Sequence, residues 1–175
     1  MQGLPILCHQ PTREKLVQIF DKAYQAGGFL LKRMEARGMN AALFTSNRDN
    51  WETPQELFDK LNAEFHFTLD AAADDHNHRC EVYFTKETNG LEKKWEGCVF
   101  CNPPYGRQIG KWVAKASAEA KNCEAIAMLL PARTDTKWFH DYILGKTEIR
   151  FLRGRLRFSG HTENAPFPSM VVIFR

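Results

Sequence analysis

The stretch NPPY, Asn102 to Tyr105, combines residue types that could hold a planar amine. It follows the apolar run VFC, which is typical of a buried strand. The two prolines have no backbone N–H, so the strand cannot continue its ladder past Asn102, and their carbonyl oxygens need another partner. Asn102 offers a side-chain oxygen as an acceptor, and Tyr105 offers an aromatic face. The stretch therefore predicts a ligand-binding turn at the end of a strand.

Two acceptors beside a flat ring suit the exocyclic amine of adenine, which carries two hydrogens. The Asn102 side chain and the Pro103 carbonyl would accept both hydrogens while the base stacks on Tyr105. This pushes the nitrogen towards a tetrahedral form, whose lone pair could attack a methyl group presented in line. Such a step needs positioning and hydrogen bonding more than a strong base. In the alternative interpretation, Asn102 only caps the turn.

The elements around this turn alternate between helix and strand. The alternation predicts an α/β sheet with parallel central strands and antiparallel strands at the C-terminal end. The helix after Trp51, TPQELFDKLNAEF, has Thr53 as its expected cap and Pro54 at its first position. The other helices are predicted over IGKWVAKASAEAKN and TKWFHDYIL, and the strands over FHFTLDAAA, EVYFT, CVFC, EAIAMLLP, EIRFLRG, RLRFS and SMVVIFR.

Three of the predicted strands end at residues that could form one binding rim. Ligands of open α/β sheets bind beyond the carboxyl ends of the strands. Asp70, Asn102 and Pro131 lie at such ends, so the loops DAAADDHN, NPPYG and PARTDT are expected side by side. Before them, residues 12–38 have the pattern of an amphipathic helix, and FTSNRDN resembles a linker. We predict an N-terminal helical extension, residues 1–43, and a catalytic domain, residues 44–175.

Composition limits the class of protein. The net charge of +3 is too small to identify a partner, and five cysteines without framework spacing favour a reducing cytoplasm. No window holds the roughly 20 unbroken apolar residues of a membrane helix, and no signal peptide is evident. Cys98 and Cys101 lie in one predicted strand and point to opposite faces, and the mixed ligand types of DDHNHRC lie in a loop. We therefore predict no metal site and no membrane contact.

Further motifs extend the pattern, and they carry a family resemblance. In chain order they are DNWETPQELFDKL, FTLDAAADDHN, YFT, GLEKKWEGCVFCNPPYG, MLLPARTDTKWFH, IRFLRGRLRF and APFPSMVVIF. NPPY resembles the catalytic motif of amino-methyltransferases, and the ordered set resembles the phage-type DNA N-6-adenine methyltransferase (Dam) family over about residues 44–175. The resemblance implies an abbreviated Rossmann-like fold and methyl transfer from S-adenosyl-L-methionine to N6 of adenine in double-stranded DNA. It also implies a phage or prophage gene expressed in the cytoplasm of a bacterial host.

The resemblance further implies roles for individual residues. Asn102 and the Pro103 carbonyl would hold the target amine, Pro104 would fix the turn, and Tyr105 would stack on the adenine. A helix N-terminus near Thr53 suits the carboxylate of the cofactor, because free backbone N–H groups point towards it. In the alternatives, Asp70 caps a helix and Trp51 is a hydrophobic staple. The expected contacts to the cofactor come from Trp51, Thr53, Pro54, Asp70, Ala71 and Ala72.

The sequence departs from the usual pattern of this enzyme class in two places. DAAA, after the first strand, stands where a glycine-rich loop is usual. The chain between Asp70 and Asn102 is also too short for several βα units of about 30 residues each, so a short sheet is expected. Asn77, Tyr83 and Phe84 are the candidates for the ribose and adenine side of the pocket.

Contact with DNA requires positive charge near the rim. An adenine inside a duplex is out of reach, so it must flip out or be supplied single-stranded. In RFLRGRLRF the arginines alternate with apolar residues and could bind phosphates, although Arg150 is expected on a solvated strand face. Phe167, between two prolines, either stacks on a base or packs in the core. The candidates for DNA contact are Arg133, Lys137, Arg153, Arg155 and Phe167.

Two other functions stay open at this stage. The same chemistry could act on RNA or on a protein glutamine, because NPPY also occurs in those enzymes. The missing glycines and the short sheet would also suit a non-catalytic nucleic-acid-binding remnant. The pattern does not determine the oligomeric state.

Overall fold

The computed structural model describes residues 51–175, and the predicted helix over residues 12–38 and the linker after it lie outside the described residues. The described helices are α1 (Gln55–Phe65), α2 (Ile109–Glu119) and α3 (Lys137–Tyr142), with a 3-10 turn at Ala120–Asn122. None of them has the length and apolar character that crossing a bilayer requires. The strands are β1 (Leu69–Asp70), β2 (Val82–Tyr83), β3 (Gly97–Cys101), β4 (Cys123–Pro131), β5 (Glu148–Phe151) and β6 (Ser169–Phe174).

Within residues 51–175, the strands form one six-stranded sheet in the order β2-β1-β3-β4-β6-β5. β1 pairs in parallel with β2 and β3, and β3 pairs in parallel with β4. β6 runs antiparallel to both β4 and β5. This order confirms the predicted α/β class with a parallel centre and antiparallel C-terminal strands. Of the parallel strands that pair directly in this part of the chain, only β3 and β4 are joined through a helix, α2, and the connections from β1 to β2 and from β2 to β3 contain none. The sheet therefore lacks further βα units, as the sequence predicted.

The core of the described region lies on β4 and β6. All of β6 and the stretch of β4 from Ala125 to Pro131 are buried. Strands covered on both faces are continuous apolar runs rather than alternating ones, which explains AIAMLLP and SMVVIF. Because β1, β3 and β4 are parallel, they end at one edge of the sheet, where the predicted rim loops begin.

Helix α1 begins one residue later than its sequence signals predicted. Pro54 occupies the N-cap position, and no side chain makes a capping hydrogen bond there. The prediction that Thr53 caps the helix is therefore wrong. Its hydroxyl accepts a hydrogen bond from another part of the chain instead. The helix packs through the apolar stripe formed by Phe58, Leu61 and Phe65, all buried.

The predicted strand over RLRFS is also wrong. β5 ends at Phe151, and Gly154 adopts a φ of 81°, a left-handed conformation that turns the chain away from the sheet. Residues 152–168, which we call the arginine loop, contain no regular helix or strand. An isolated β-bridge between Ser159 and Glu52 joins this loop to the segment before α1.

Gly90 lies where no side chain fits. A Cβ atom at this position would be 2.2 Å from the Ala71 carbonyl oxygen and 3.2 Å from the Trp112 ring. The Gly90 carbonyl also accepts a hydrogen bond of 2.8 Å from the buried indole N–H of Trp95. The glycine therefore lets the segment before β3 approach the end of β1 closely.

We expect Gly90→Ala to lower the free energy of unfolding by about 1–3 kcal/mol, because the new methyl group overpacks against backbone atoms. Gly110→Ala is the matched control, since its Cβ atom would meet Trp138 at an ordinary contact distance of 3.6 Å. Alanine also favours a helix over glycine by about 1 kcal/mol. Urea unfolding of both variants measures the difference, and equal stabilities would contradict the close approach at Gly90.

Candidate active site

Asn102 lies directly after β3, and its side-chain amide is held by the segment before α1. The Nδ2 atom donates hydrogen bonds to the Thr53 hydroxyl at 2.9 Å and to the Trp51 carbonyl. A carbonyl oxygen only accepts, so the nitrogen of the amide must be the atom that faces Trp51. The Oδ1 atom is buried, and no donor within residues 51–175 reaches it. This part of the chain therefore contains a buried acceptor without a partner.

The two prolines continue the same wall. Pro103 is buried and Pro104 is exposed, and both line a cavity together with Asn102. Neither proline has a backbone N–H to donate, and β3 ends at Cys101, as the proline pair predicted. No hydrogen bond to the Pro103 carbonyl forms within the described residues. The turn thus contributes two acceptors, the Asn102 Oδ1 atom and the Pro103 oxygen.

The cavity beside this turn has a volume of about 590 Å³. The residues that line it lie within the stretches 51–53, 70–79, 84–91 and 100–108, although not every residue of these stretches does so, and Trp112 of α2 also lines it. The rim loops after β1 and β3 reach the cavity, as predicted. The loop after β4 contributes no wall residue, whereas residues 84–91 contribute several.

Most residues predicted to bind a cofactor line this cavity, although their contact with a cofactor stays a prediction. Ala71 does not line it: the residue is fully buried, and its N–H binds the Phe100 carbonyl at 2.9 Å. Pro54 also lies outside the walls, and Tyr83 stacks on His78 with their ring centroids 4.2 Å apart. Those that line the cavity are Trp51, Thr53, Asp70, Ala72, Asn77 and Phe84.

Asp70 ends β1, and the residue is only 3% exposed. Its carboxylate accepts the N–H of Arg79 at 3.1 Å and the N–H of Ala72 at 3.4 Å. Burial raises the pKa of Asp70 to about 6, because desolvation outweighs the two backbone hydrogen bonds that favour the charged form. No helix follows Asp70, so the alternative that it caps a helix is wrong. The carboxylate organises the loop after β1 instead.

Arg79 was not among the predicted site residues, but it joins two walls of the cavity. Its backbone N–H binds Asp70, and its guanidinium donates to the Thr53 carbonyl at 2.5 Å and to the Gln55 side chain. The sequence holds no signal for these contacts, because a loop rather than a helix or strand sets the distance between Asp70 and Arg79. Only the folded loop shows that the arginine supports Thr53.

The polar segment DDHNHRC is a loop, as predicted. Asp74 and Asn77 close a turn in which the Asn77 Nδ2 atom donates to Asp74 at 2.8 Å and the Asn77 Oδ1 atom accepts the Asp74 N–H at 2.9 Å. The amide of Asn77 is therefore occupied within its own loop. In the part of the chain that the structure describes, no group of three or more His, Cys, Asp or Glu side chains is placed to hold a metal ion.

The Tyr105 side chain is placed differently from the sequence-based expectation. Its ring is 4% exposed and packs edge-on against Phe158 and Phe167, with centroid distances of 6.1 and 5.6 Å. The hydroxyl donates to the Leu129 carbonyl at 3.2 Å, and burial raises the pKa of Tyr105 well above its usual value. The ring does not line the cavity because the arginine loop covers it. Adenine stacking on Tyr105 stays a prediction that requires these side chains to move.

Trp51 belongs to the same group of rings, which we call the aromatic cluster: Trp51, Tyr105, Phe158, His161 and Phe167. The Trp51 indole stacks on His161 at 4.6 Å and contacts Phe158 and Phe167 at 5.1 Å. Its aromatic partners therefore come from the arginine loop rather than from α1, where a hydrophobic staple would place them. Phe167 packs as the core alternative predicted, and a role as a wedge in DNA stays a prediction.

Comparison with known proteins decides the family. Residues 40–175 match the family model described as DNA N-6-adenine-methyltransferase (Dam). This chain belongs to the Dam family. A DNA N-6-adenine-methyltransferase of Escherichia phage T1 is 37% identical to it over 112 residues, which are 62% of this chain. One of Haemophilus phage HP1 is 29% identical over 138 residues, which are 74% of this chain and 80% of that protein. The chain spans about half, 47%, of the length of the phage T1 relative.

The Dam-family resemblance inferred from the ordered motifs is thus confirmed, whereas the residues predicted to contact DNA lie outside the cavity. Arg153 and Arg155 are exposed on the arginine loop, and the Arg155 guanidinium lies 3.4 Å from the Pro166 carbonyl. Arg133 is exposed in the loop after β4. These positions leave the guanidinium groups available to a ligand outside the cavity.

Two other cations of this Dam-family chain are paired with carboxylates. Lys137, a predicted DNA contact, binds Asp141 at 2.5 Å on the surface of α3. Arg150, predicted to lie on a solvated strand face, binds Glu64 at 2.5 Å and Glu148 at 2.6 Å. Exposed pairs of this kind are weak, so Lys137 can exchange its partner more readily than Arg150, which two carboxylates hold.

The sequence analysis missed other cavity residues of this family member. Arg107 and Gln108 are exposed and line the cavity directly after the NPPYG turn. Lys86 and Glu87 line it from the segment before Gly90. A signal existed for Arg107, because it directly follows the NPPYG stretch in the chain. No local pattern pointed to residues 84–91, since their place depends on the close approach at Gly90.

The raised pKa of Asp70 predicts how the free energy of unfolding depends on pH. Its pKa is about 6 in the folded chain against an ordinary value of 3.8, so the native state holds an extra proton between these two values. The resulting stabilisation is fully present below the lower value and is lost as the pH rises through 6. The free energy of unfolding of Asp70→Asn, taken relative to that of the wild type, should therefore rise by about 2–3 kcal/mol as the pH rises from about 4 to 7.

Urea unfolding of both proteins across this pH range measures the difference. Comparing the two proteins cancels the titration of other carboxylates, such as Glu64, whose pKa is lowered by its hydrogen bond with Arg150. A difference in unfolding free energy that does not change with pH would contradict the raised pKa of Asp70.

Proposed function

We propose that this chain transfers a methyl group to the exocyclic N6 amine of adenine in DNA. The observation that carries the proposal is the buried Oδ1 atom of Asn102, which has no partner within residues 51–175 and belongs to a residue of the cavity wall. A buried acceptor without a donor costs about 1–3 kcal/mol, so a ligand that supplies an N–H group is favoured here. Membership of the Dam family and the names of both phage relatives support adenine N6 as that donor.

In this mechanism, the chain's own residues act on the amine. The Asn102 Oδ1 atom and the Pro103 carbonyl accept the two amine hydrogens, and Pro104 fixes the turn that carries them. Accepting both hydrogens draws the nitrogen lone pair out of conjugation with the purine ring. The reaction needs no strong base, because the amine releases its proton only after it has gained the methyl group. Preorganised acceptors of this kind supply most of the rate.

S-adenosyl-L-methionine is the proposed cofactor. When bound, it would supply a methyl group carried on a positively charged sulfur. The amine nitrogen would form the new N–C bond, the electrons of the broken C–S bond would stay on the sulfur, and the methylated amine would release a proton to water. A cavity of about 590 Å³ lies within the size range of ligand pockets. The aromatic rings of Trp51 and Phe84 and the carboxylate of Asp70 would hold the cofactor, whose sulfur and amino group are cationic. Thr53 and Ala72 complete these walls.

Duplex DNA is the proposed substrate, with the target adenine flipped out of the stack. We assign the phosphate contacts to Arg133, Lys137, Arg153 and Arg155. Arg133 and Lys137 follow β4 at the sheet edge where Asn102 lies, and the arginine loop is joined to Glu52 by its bridge at Ser159. Phosphate contacts position DNA without reading its sequence.

We propose the cytoplasm of a bacterial host as the place of action. Both relatives are phage proteins. The cysteines of the described region are free, as expected in a reducing compartment. They are Cys80, Cys98, Cys101 and Cys123.

We expect Asn102→Ala to lower the rate of methyl transfer by about 10²–10³, because it removes one of the two acceptors that act on the amine. The affinity for S-adenosylhomocysteine should stay close to that of the wild type. Transfer of a radiolabelled methyl group to unmethylated DNA and calorimetry measure the two quantities. Asn122→Ala, at an exposed position before β4, is the matched control and should behave like the wild type.

The same assay compares unmethylated DNA with RNA and with a protein that presents glutamine. Robust transfer to DNA by Asn102→Ala would refute the role of Asn102. Transfer by the wild type only to RNA or to glutamine would overturn DNA as the substrate. Failure of the wild type to bind S-adenosylhomocysteine at millimolar concentration would favour a non-catalytic remnant.

We expect the double variant Arg153→Gln and Arg155→Gln to bind duplex DNA about tenfold or more weakly at low salt, with a salt slope reduced by about 2. A phosphate contact contributes to affinity for every sequence, so the loss should not depend on the DNA sequence used. Fluorescence anisotropy at several salt concentrations measures both quantities.

Lys60→Gln with Lys121→Gln removes the same charge from exposed positions on α1 and on the 3-10 turn before β4. If the two double variants weaken DNA binding equally, only net charge matters, and the arginine loop is not the contact surface.

A further inference from the structure

The amide of Asn102 is flanked by two oxygens that belong to the segment before α1. The Trp51 carbonyl and the Thr53 hydroxyl both accept hydrogen bonds from the Nδ2 atom. Both hydrogens of the amide are therefore used on one side. The orientation of the side chain then follows, because exchanging nitrogen and oxygen would bring the Oδ1 atom against the Trp51 carbonyl.

This segment is itself held from three directions. The Thr53 residue is 4% exposed, and its carbonyl accepts hydrogen bonds from the Arg79 guanidinium at 2.5 Å and from the Ser159 hydroxyl at 3.3 Å. The Glu52 carbonyl accepts the Ser159 N–H at 2.9 Å. The Trp51 indole is buried in the aromatic cluster. The two acceptors cannot move far from Asn102 without breaking these contacts.

We propose that the Trp51 carbonyl and the Thr53 hydroxyl form an acceptor pair that positions the Asn102 oxygen for the target amine and that selects an amide over a carboxylate at this position. The inference rests on the proposed function of Asn102 and deepens it. Thr53 is then a positioning residue that acts through Asn102.

The selection follows from the chemistry of the two groups. A carboxylate at position 102 would place an oxygen against the Trp51 carbonyl, with no hydrogen between two acceptors. The conflict is relieved if the new side chain rotates, which withdraws the acceptor from the amine. It is also relieved if the new carboxyl group holds a proton, because its O–H then donates to Trp51 as the Asn102 amide does. The second route predicts that acid restores activity.

The first experiment compares Thr53→Val with Thr53→Ser. Valine keeps the shape and removes the acceptor, so the kcat for DNA methylation should fall about tenfold, with the affinity for S-adenosylhomocysteine changed less than about threefold. Serine keeps the hydroxyl and should recover most of the loss. Thr68→Val is the matched control, because the Thr68 hydroxyl binds a backbone carbonyl, that of Cys98, at the start of β1.

A Thr53→Val variant with wild-type kcat and weakened cofactor binding would show that Thr53 only contacts the cofactor, and the inference would fail. A kcat that falls in Thr53→Val and does not recover in Thr53→Ser would also contradict the inference. The methyl group of Thr53, rather than its hydroxyl, would then be what matters.

The second experiment follows Asn102→Asp across pH. We expect its kcat relative to the wild type to be about 100-fold lower at pH near 8 and to rise by up to about tenfold per pH unit towards pH 6. The ratio is used because other titratable groups around this position occur in both proteins and their effects cancel. Two of these groups, Cys101 and Tyr105, lie within three positions of Asn102 in the chain. The charged groups that line the same cavity are Glu52, Asp70, Asp74, Arg79, Lys86, Glu87 and Arg107. A ratio near one, or one that does not change with pH, would overturn the selection of an amide.

A third measurement does not depend on activity. The side-chain amide protons of Asn102 are identified in an NMR spectrum by their loss in Asn102→Ala. Thr53→Val should shift one of them and speed its exchange with water, whereas Thr53→Ser should leave both nearly unchanged. An unaltered signal in Thr53→Val would overturn the acceptor pair whatever the enzyme assays show. If the wild type methylates no DNA while this signal shifts, the proposed function fails and the positioning of Asn102 stands.

Discussion

Two hydrogen bonds from the Asn102 amide, to the Trp51 carbonyl and the Thr53 hydroxyl, join parts of the chain that lie about 50 positions apart. They bring the segment before α1 against the end of β3. Because the nitrogen of the amide is used there, the oxygen is left as a buried acceptor without a partner in the described region. The contacts of Arg79 and Ser159 with the Thr53 carbonyl hold the same segment from outside. The geometry of the whole site depends on this junction.

A short sheet can support a cavity of this size because loops build the walls that further βα units would otherwise supply. Asp70 binds two backbone N–H groups of the loop that follows it. Asp74 and Asn77 close a turn within that loop. Residues 84–91 then fold over the ends of β1 and β3, where Gly90 allows a distance that no side chain would permit. The contacts of Asp70, Asp74 and Asn77 are hydrogen bonds within residues 70–79, so this wall does not need a large core of its own.

The arginine loop links the interior of the site to its outer surface. Phe158 and Phe167 of this loop cover the Tyr105 ring, while Arg153 and Arg155 of the same loop are exposed. One segment therefore carries both the exposed guanidinium groups and the rings that cover Tyr105. By contrast, Arg150 on β5 forms an ion pair with Glu64 of α1, and its guanidinium lies 5.5 Å from the centre of the Phe65 ring. These contacts join β5 to α1, so the role of Arg150 is structural.

The sequence by itself determined the features that follow from residue type and local spacing. Two prolines without N–H groups end β3 at Cys101 in any fold, and the alternation of helical and strand patterns determines the α/β class. The short distance from Asp70 to Asn102 predicted a short sheet, and the ordered motifs predicted the Dam family.

Only the tertiary structure decided what individual side chains do. The Thr53 hydroxyl, expected to cap α1, accepts from Asn102, and the Tyr105 ring, expected to face a ligand, is covered by the arginine loop. RLRFS has the alternation of a strand, but Gly154 turns it away from the sheet. Arg79 supports Thr53 with no signal in the sequence. For Thr53, Tyr105 and Arg79 the physical reason is the same: a hydrogen bond or ring contact between distant segments leaves no period in the sequence, and it exists only once the loops have closed.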